Sequence, residues 1–145
     1  MKISTKGRYA LRMMLDLAEH QNDGYVALKE IAQRQDISKK YLEQIVPILN
    51  GSGYLLTSRG SQGGYRLARS PEKYTVGELL RLTEGGLSPV PCLEQHPNQC
   101  ARSADCPTLP VWRGLDRVIT EYLDGITLQD ILDQQKQMYS NDYVI

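Results

Sequence analysis

All three cysteines of this chain fall in one short stretch, Cys92-Leu-Glu-Gln-His-Pro-Asn-Gln-Cys100-Ala-Arg-Ser-Ala-Asp-Cys106. An odd number of thiols excludes a complete set of internal disulfides, and clustered thiols point instead to metal or redox chemistry. The spacing is Cys-x7-Cys-x5-Cys. Zinc sites are usually built from tighter pairs, roughly two to four residues apart, and no such pair is present. Thiolates also ligate iron–sulfur clusters, which a flexible loop can wrap. Cys92, Cys100 and Cys106 are therefore candidate ligands of an iron–sulfur cluster. Glu94, His96 and Asp105 are weaker candidates for a fourth position, and an exogenous ligand is a further alternative. Without a metal, the same thiols would be redox-sensitive. A cysteine-nucleophile hydrolase would need a base beside its thiol. The two histidines, His20 and His96, lack the surroundings of a catalytic pair, so the chain is read as a non-enzyme.

A second group of residues has polar and cationic side chains suited to nucleic acid. Ser38-Lys-Lys-Tyr-Leu-Glu-Gln44 carries Lys39 and Lys40 for phosphates, and Glu43 and Gln44 for base edges. Arg59-Gly-Ser-Gln-Gly-Gly64 places Arg59, Ser61 and Gln62 among three glycines. An arginine in such a turn suits a narrow minor groove, and glycines allow close approach of backbone to phosphate. Residues 1–74 hold 12 Lys/Arg against 7 Asp/Glu, a net of +5, while residues 75–145 hold 5 against 10, a net of −5. The zero overall charge thus hides a basic half, fit for a polyanion, and an acidic half.

The elements that must position these residues follow from periodicity and caps. Leu11, Met14, Leu15 and Ala18, widened by Met13 and Leu17, predict a helix from Gly7 to about His20. A short helix is predicted over Leu28–Gln35, then a turn at Asp36-Ile37 with Ser38 as N-cap. A third helix runs from Lys39 to about Asn50, buries Leu42, Ile45, Val46 and Leu49, and bends or tightens near Pro47. Two strand-like runs flanking Gly60–Gly64 predict a hairpin. Thr75 and Glu78 form a capping box for a helix from Val76 to about Thr83. A longer helix, Pro110 to Asp124, carries the apolar stripe Leu115, Val118, Ile119, Tyr122 and Leu123, and a last short helix is predicted from Leu128 to about Gln135.

Three helices followed by a hairpin is the order of a winged helix-turn-helix, a mainly α fold with a small β-hairpin, whose third helix enters the major groove. The expected division is a DNA-binding domain over 1–84, a cysteine-bearing loop over 85–109, and a dimerisation helix with C-terminal tail over 110–145. An apolar stripe beyond a core complete by about residue 84 needs a partner, most simply the same helix of a second chain, which would match a palindromic operator in double-stranded DNA. No apolar run is long enough for a membrane span and the N-terminus lacks a signal-peptide pattern, so a cytoplasmic protein without membrane contact is expected.

Met1-Lys-Ile-Ser-Thr-Lys-Gly-Arg-Tyr-Ala10, Ile37-Ser-Lys-Lys-Tyr-Leu-Glu-Gln44, Arg59-Gly60 through Gly63-Gly64-Tyr65, and Trp112 through Ile126-Thr127-Leu128 together resemble the Rrf-two family of bacterial winged-helix regulators. The resemblance implies a homodimeric transcriptional regulator, a repressor, binding its operator through Ser38, Lys39, Lys40, Tyr41, Glu43 and Gln44 of the third helix and Arg59, Ser61, Gln62, Gly63 and Gly64 of the wing. Glu43 matches a residue that contributes to sequence discrimination, and Arg59 matches the wing arginine. The resemblance also implies an iron–sulfur cluster on Cys92, Cys100 and Cys106, [2Fe–2S] rather than [4Fe–4S], reporting iron–sulfur, redox or nitric-oxide status. The alternative it carries is a cluster-free regulator controlled by thiol oxidation or a partner protein. Three departures stand out. The first cysteine gap is seven residues where the family has five. The position three after the last cysteine, a histidine in some members, is Leu109. The position near the first helix that is acidic in others is Arg8.

Overall fold

The computed structural model describes residues 1–142. Helix α1, Thr5–Glu19, lies at the centre and packs against the second, third, fourth and last helices. Its entry is doubly fixed: the Ser4 hydroxyl accepts from the Gly7 N–H at 3.0 Å and donates to Glu84 Oε1 at 2.6 Å. The face it buries is Ala10, Met13, Met14, Leu17 and Ala18. Leu11 and Leu15, placed on the main stripe by periodicity, are only partly buried. A helix surrounded by others has a wide apolar arc, and periodicity alone does not say which edge of that arc lies deepest.

Helices α2, Leu28–Gln35, and α3, Lys39–Gly51, flank a tight turn. Asp36 adopts the left-handed conformation, φ 53°, which aspartate tolerates better than most side chains. Ile37 then drops into the core, and the Ser38 hydroxyl caps α3 by accepting from the Tyr41 N–H at 3.1 Å. The helix runs unbroken through Pro47, whose ring faces solvent. Strands β1, Leu55–Ser58, and β2, Gly64–Leu67, pair antiparallel with Leu55 opposite Leu67 and Ser58 opposite Gly64. Helix α4, Val76–Glu84, starts at the Thr75–Glu78 capping box and stops at Gly85, φ 77°. The loop 85–108 leads to α5, Leu109–Asp124, which packs on α4, and then to α6, Leu128–Asp142.

The last helix corrects two expectations. It continues well past Gln135. It also completes the core: Leu128 is fully buried and Leu132 nearly so, both in the cluster built around α1. The chain is drawn back to the start of α4 by two hydrogen bonds, Val76 N–H to the Ile126 carbonyl at 2.8 Å and Leu128 N–H to the Tyr74 carbonyl at 3.1 Å. The apolar core therefore does not close at residue 84.

Candidate nucleic-acid interface and thiol loop

With Leu42, Ile45, Val46 and Leu49 buried, α3 turns Lys39, Lys40, Glu43 and Gln44 to solvent. Lys39 and Glu43 approach to 3.9 Å, both side chains more than half exposed, a pairing too weak to prevent either from meeting DNA. Ser38 and Tyr41 have structural duties at the same helix start. Ser38 supplies the cap, and the half-buried Tyr41 ring meets Tyr9 of α1 edge-on at 5.3 Å.

The wing projects Arg59, Ser61 and Gln62 at its exposed tip. Gly63 and Gly64 are glycines for a reason of packing. A Cβ would stand 2.3 Å from the Ser58 carbonyl oxygen at the first and 2.2 Å from the Val26 carbonyl oxygen at the second. The second close approach accompanies a reciprocal pair of 2.8 Å hydrogen bonds between Val26 and Tyr65, which ties β2 to the segment preceding α2. Thr57 Oγ1 donates to Asn50 Oδ1 at 3.1 Å, tying β1 to the end of α3. At the wing's base the Arg69 guanidinium lies over the rings of Tyr54 and Tyr74, 5.0 and 4.6 Å from their centroids, and 3.6 Å from Glu78. The Tyr74 hydroxyl donates to the Tyr54 carbonyl at 2.7 Å. Burial, with Glu78 close by, pushes the Tyr54 phenol up to about 12. These contacts tie the wing to the entry of α2 and to the end of α3. The bracing residues Val26 and Tyr54 carry no local sequence signal, because their partners Tyr65 and Tyr74 are distant in the chain, and Asn50 and Arg69 reach their partners across turns that no sequence pattern marks.

The thiol loop is anchored by two buried leucines, Leu93 and Leu109. Cys92 sits in a single 3₁₀ turn, Pro91–Leu93, and is partly buried. Cys100 is exposed, its N–H donating to Asn98 Oδ1 at 2.9 Å. Cys106 is partly buried with its Sγ 3.4 Å from Thr108 Oγ1, and that hydrogen bond holds its thiol below the ordinary range. All three are free. As a donor set they suit a soft metal centre. Among the described residues no three or more His, Cys, Asp or Glu side chains converge on a metal-sized point, and Glu94, His96 and Asp105 are exposed. Leu109 is buried, and Arg8 is occupied by a 3.1 Å hydrogen bond to Thr5.

On α5, Val111, Leu115, Val118 and Tyr122 are all exposed, Val118 at 58% and Tyr122 at 66%. Their spacing of four, three and four residues is that of a helix–helix seam. Ile119 and Leu123, expected on the same stripe, are partly buried instead. Val111 and Trp112 extend the exposed apolar surface toward the thiol loop.

Comparison with known proteins places the chain in a family. The Rrf2 family, described as iron-dependent transcriptional regulators, matches residues 3–134. Protein rrf2 of Nitratidesulfovibrio vulgaris Hildenborough is 39% identical over 132 residues, 91% of this chain and 87% of its own length. The structure of IscR from T. potens superposes with a TM-score of 0.76 at 40% identity, covering 95% of this chain and 90% of that one. The structure of CymR, the global cysteine regulator of Bacillus subtilis, superposes with a TM-score of 0.78 at 38% identity, covering 92% and 98%. These relatives are regulators rather than enzymes, and the winged-helix architecture is common to them and to this chain. The chain belongs to the Rrf2 family of transcriptional regulators.

Proposed function

We propose that this regulator is a cytoplasmic homodimer that represses transcription by binding a palindromic operator, and that it senses iron–sulfur, redox or nitric-oxide status through an iron–sulfur cluster held by Cys92, Cys100 and Cys106. The observation that carries the sensing role is the presence of three free thiols on one loop that leads directly into α5, whose exposed seam is the proposed dimer contact. When bound, the cluster, [2Fe–2S] in this reading, would supply a centre sensitive to oxidants and nitric oxide. The chain's own contribution is coupling. Leu109 opens α5 three residues after the last thiol, so any rearrangement of the loop bears on the helix that sets the distance between two recognition helices. Lys39, Lys40, Glu43 and Gln44 would then meet the major groove, with Arg59, Ser61, Gln62 and the backbone at Gly63 and Gly64 in the neighbouring minor groove. Among the described residues no helix is long and apolar enough to cross a membrane.

Two observations support a second reading of CymR type, without a cluster: among the described residues the three thiols do not converge, and the Thr108 hydrogen bond holds the Cys106 thiol below its usual range. Such a protein would respond to thiol oxidation or to a partner protein. Anaerobic purification followed by an absorption spectrum and iron and sulfide analysis separates the two. The cluster reading expects a visible chromophore that vanishes in each of Cys92→Ala, Cys100→Ala and Cys106→Ala with the fold retained. Iron-free protein, even after reconstitution, with graded and independent effects of the three substitutions on operator affinity, establishes the second reading and removes the first.

A further inference from the structure

Between the wing and the start of α2 runs a groove of about 460 Å³ whose cationic walls come from three elements: Lys29 of α2, Lys39 of α3 and Arg59 of the wing tip. Its floor and rim are Ala27 and Leu28, the strand residues Thr57 and Ser58, and the backbone at Gly60, Gly63 and Gly64. No acidic residue lines it. Among the described residues Lys29 and Arg59 make no ion pair within 4.0 Å, and Lys39 has only the exposed Glu43 at 3.9 Å. Three like charges facing one trough repel one another unless an anion joins them. The trough is also preformed. The Val26–Tyr65 hydrogen bonds fix β2 against the entry to α2, and the absence of side chains at Gly63 and Gly64 is enforced by backbone approach. The N-cap of α2 is Ala27, which offers no side-chain oxygen to the first-turn amides.

We propose that this groove seats a phosphate of the DNA backbone and that Lys29, which has no role in the sequence pattern, is a DNA-contacting residue. The inference rests on the DNA-binding reading above and follows from the shape of the duplex. A helix in the major groove and a wing in the adjacent minor groove must lie on either side of the sugar–phosphate strand that separates those two grooves. That strand has to pass between α3 and the wing tip, and the groove bordered by Lys39 and Arg59 lies there. Lys29 then closes on the strand from the α2 side. A backbone contact of this kind adds affinity and register without reading sequence.

The test is a salt titration of binding by full-length wild type, Lys29→Ala and Lys29→Arg, each against an operator duplex and an unrelated duplex. Lys29 is exposed, so the variants are expected to fold, and far-ultraviolet circular dichroism and melting are measured alongside. Lys29→Ala is expected to weaken both duplexes by a similar factor and to make the log–log salt dependence shallower by about 0.9. Lys29→Arg is expected to retain the wild-type slope. An unchanged slope in Lys29→Ala, or a loss confined to the operator, overturns the phosphate seat while leaving DNA binding intact. Wild-type protein that binds neither duplex at any salt overturns the DNA-binding reading itself.

Discussion

Asp16 is 1% exposed, a charged side chain within an otherwise apolar interior. Arg34 of α2 donates to both of its oxygens, at 2.7 and 3.0 Å, and Gln35 adds a third hydrogen bond at 3.0 Å. The same contact holds the Arg34 guanidinium above its ordinary range. The two partners are not equivalent. Arg34 is about a third exposed and can be hydrated if it loses Asp16, whereas Asp16 without Arg34 is a buried charge left with the Gln35 amide and the more distant His20 ring, 3.8 Å away. Arg34→Ala is therefore expected to cost about 3–5 kcal/mol, and Asp16→Asn, which keeps the shape and removes the charge, distinctly less. Urea unfolding of both variants checks this, and equal or reversed costs would refute the asymmetry. The sequence hides this clamp. An aspartate on an amphipathic helix reads as a surface residue, and its partners lie eighteen and nineteen positions away.

At the scale of elements, the recognition helix and the wing were legible, because a serine cap, an apolar face and a glycine-rich turn are local signals. Glu43 is the informative position on that helix. On the proposed reading Glu43 faces DNA, where a carboxylate repels phosphates, so its benefit would lie in accepting from a cytosine amine or in excluding wrong bases. Glu43→Ala is expected to relax sequence preference more than it lowers affinity, as read by binding to a panel of single-base operator variants. A uniform loss across the panel would mark Glu43 as a structural partner of Lys39, 3.9 Å away. Less legible was α6. Among the described residues its strongly buried contacts are Leu128 and Leu132, too few to announce a long helix, and its docking depends on α1, more than a hundred residues earlier. Leu128→Ala is expected to destabilise the protein by about 2–5 kcal/mol, measured by thermal or denaturant unfolding. A cost under about 1 kcal/mol would mean that α6 merely rests on the core. The geometry of the thiol loop was not legible, since nothing in the spacing of three cysteines states where their sulfurs point.

For the whole molecule, the seam Val111, Leu115, Val118 and Tyr122 sets the expected assembly. A glutamate at its centre would bury an unpaired charge between two copies. Val118→Glu is expected to convert a dimer to a monomer by light scattering at micromolar concentration, to leave the melting of the winged-helix unit nearly unchanged at this exposed position, and to lower operator affinity by at least tenfold through loss of the second half-site contact. A wild-type monomer under the same conditions, or an unaffected dimer in the variant, would assign the seam another purpose.

The hydrogen bonds that join Val76 to Ile126 and Leu128 to Tyr74 have a consequence for how such a molecule can vary. They make the chain return, after its excursion through the thiol loop and α5, to the residues from which α4 departed. The two ends of that excursion therefore lie side by side, and the loop 85–108 within it can change length while α4 and α5 stay packed. Adding two residues to a loop of this size raises its closure cost by only about 0.1 kcal/mol. The seven-residue interval between Cys92 and Cys100 lies in this loop, where a change of length costs little. By the same logic a thiol loop from a relative, grafted between Gly86 and Thr108, should bring its own signal while α5 keeps its packing on α4.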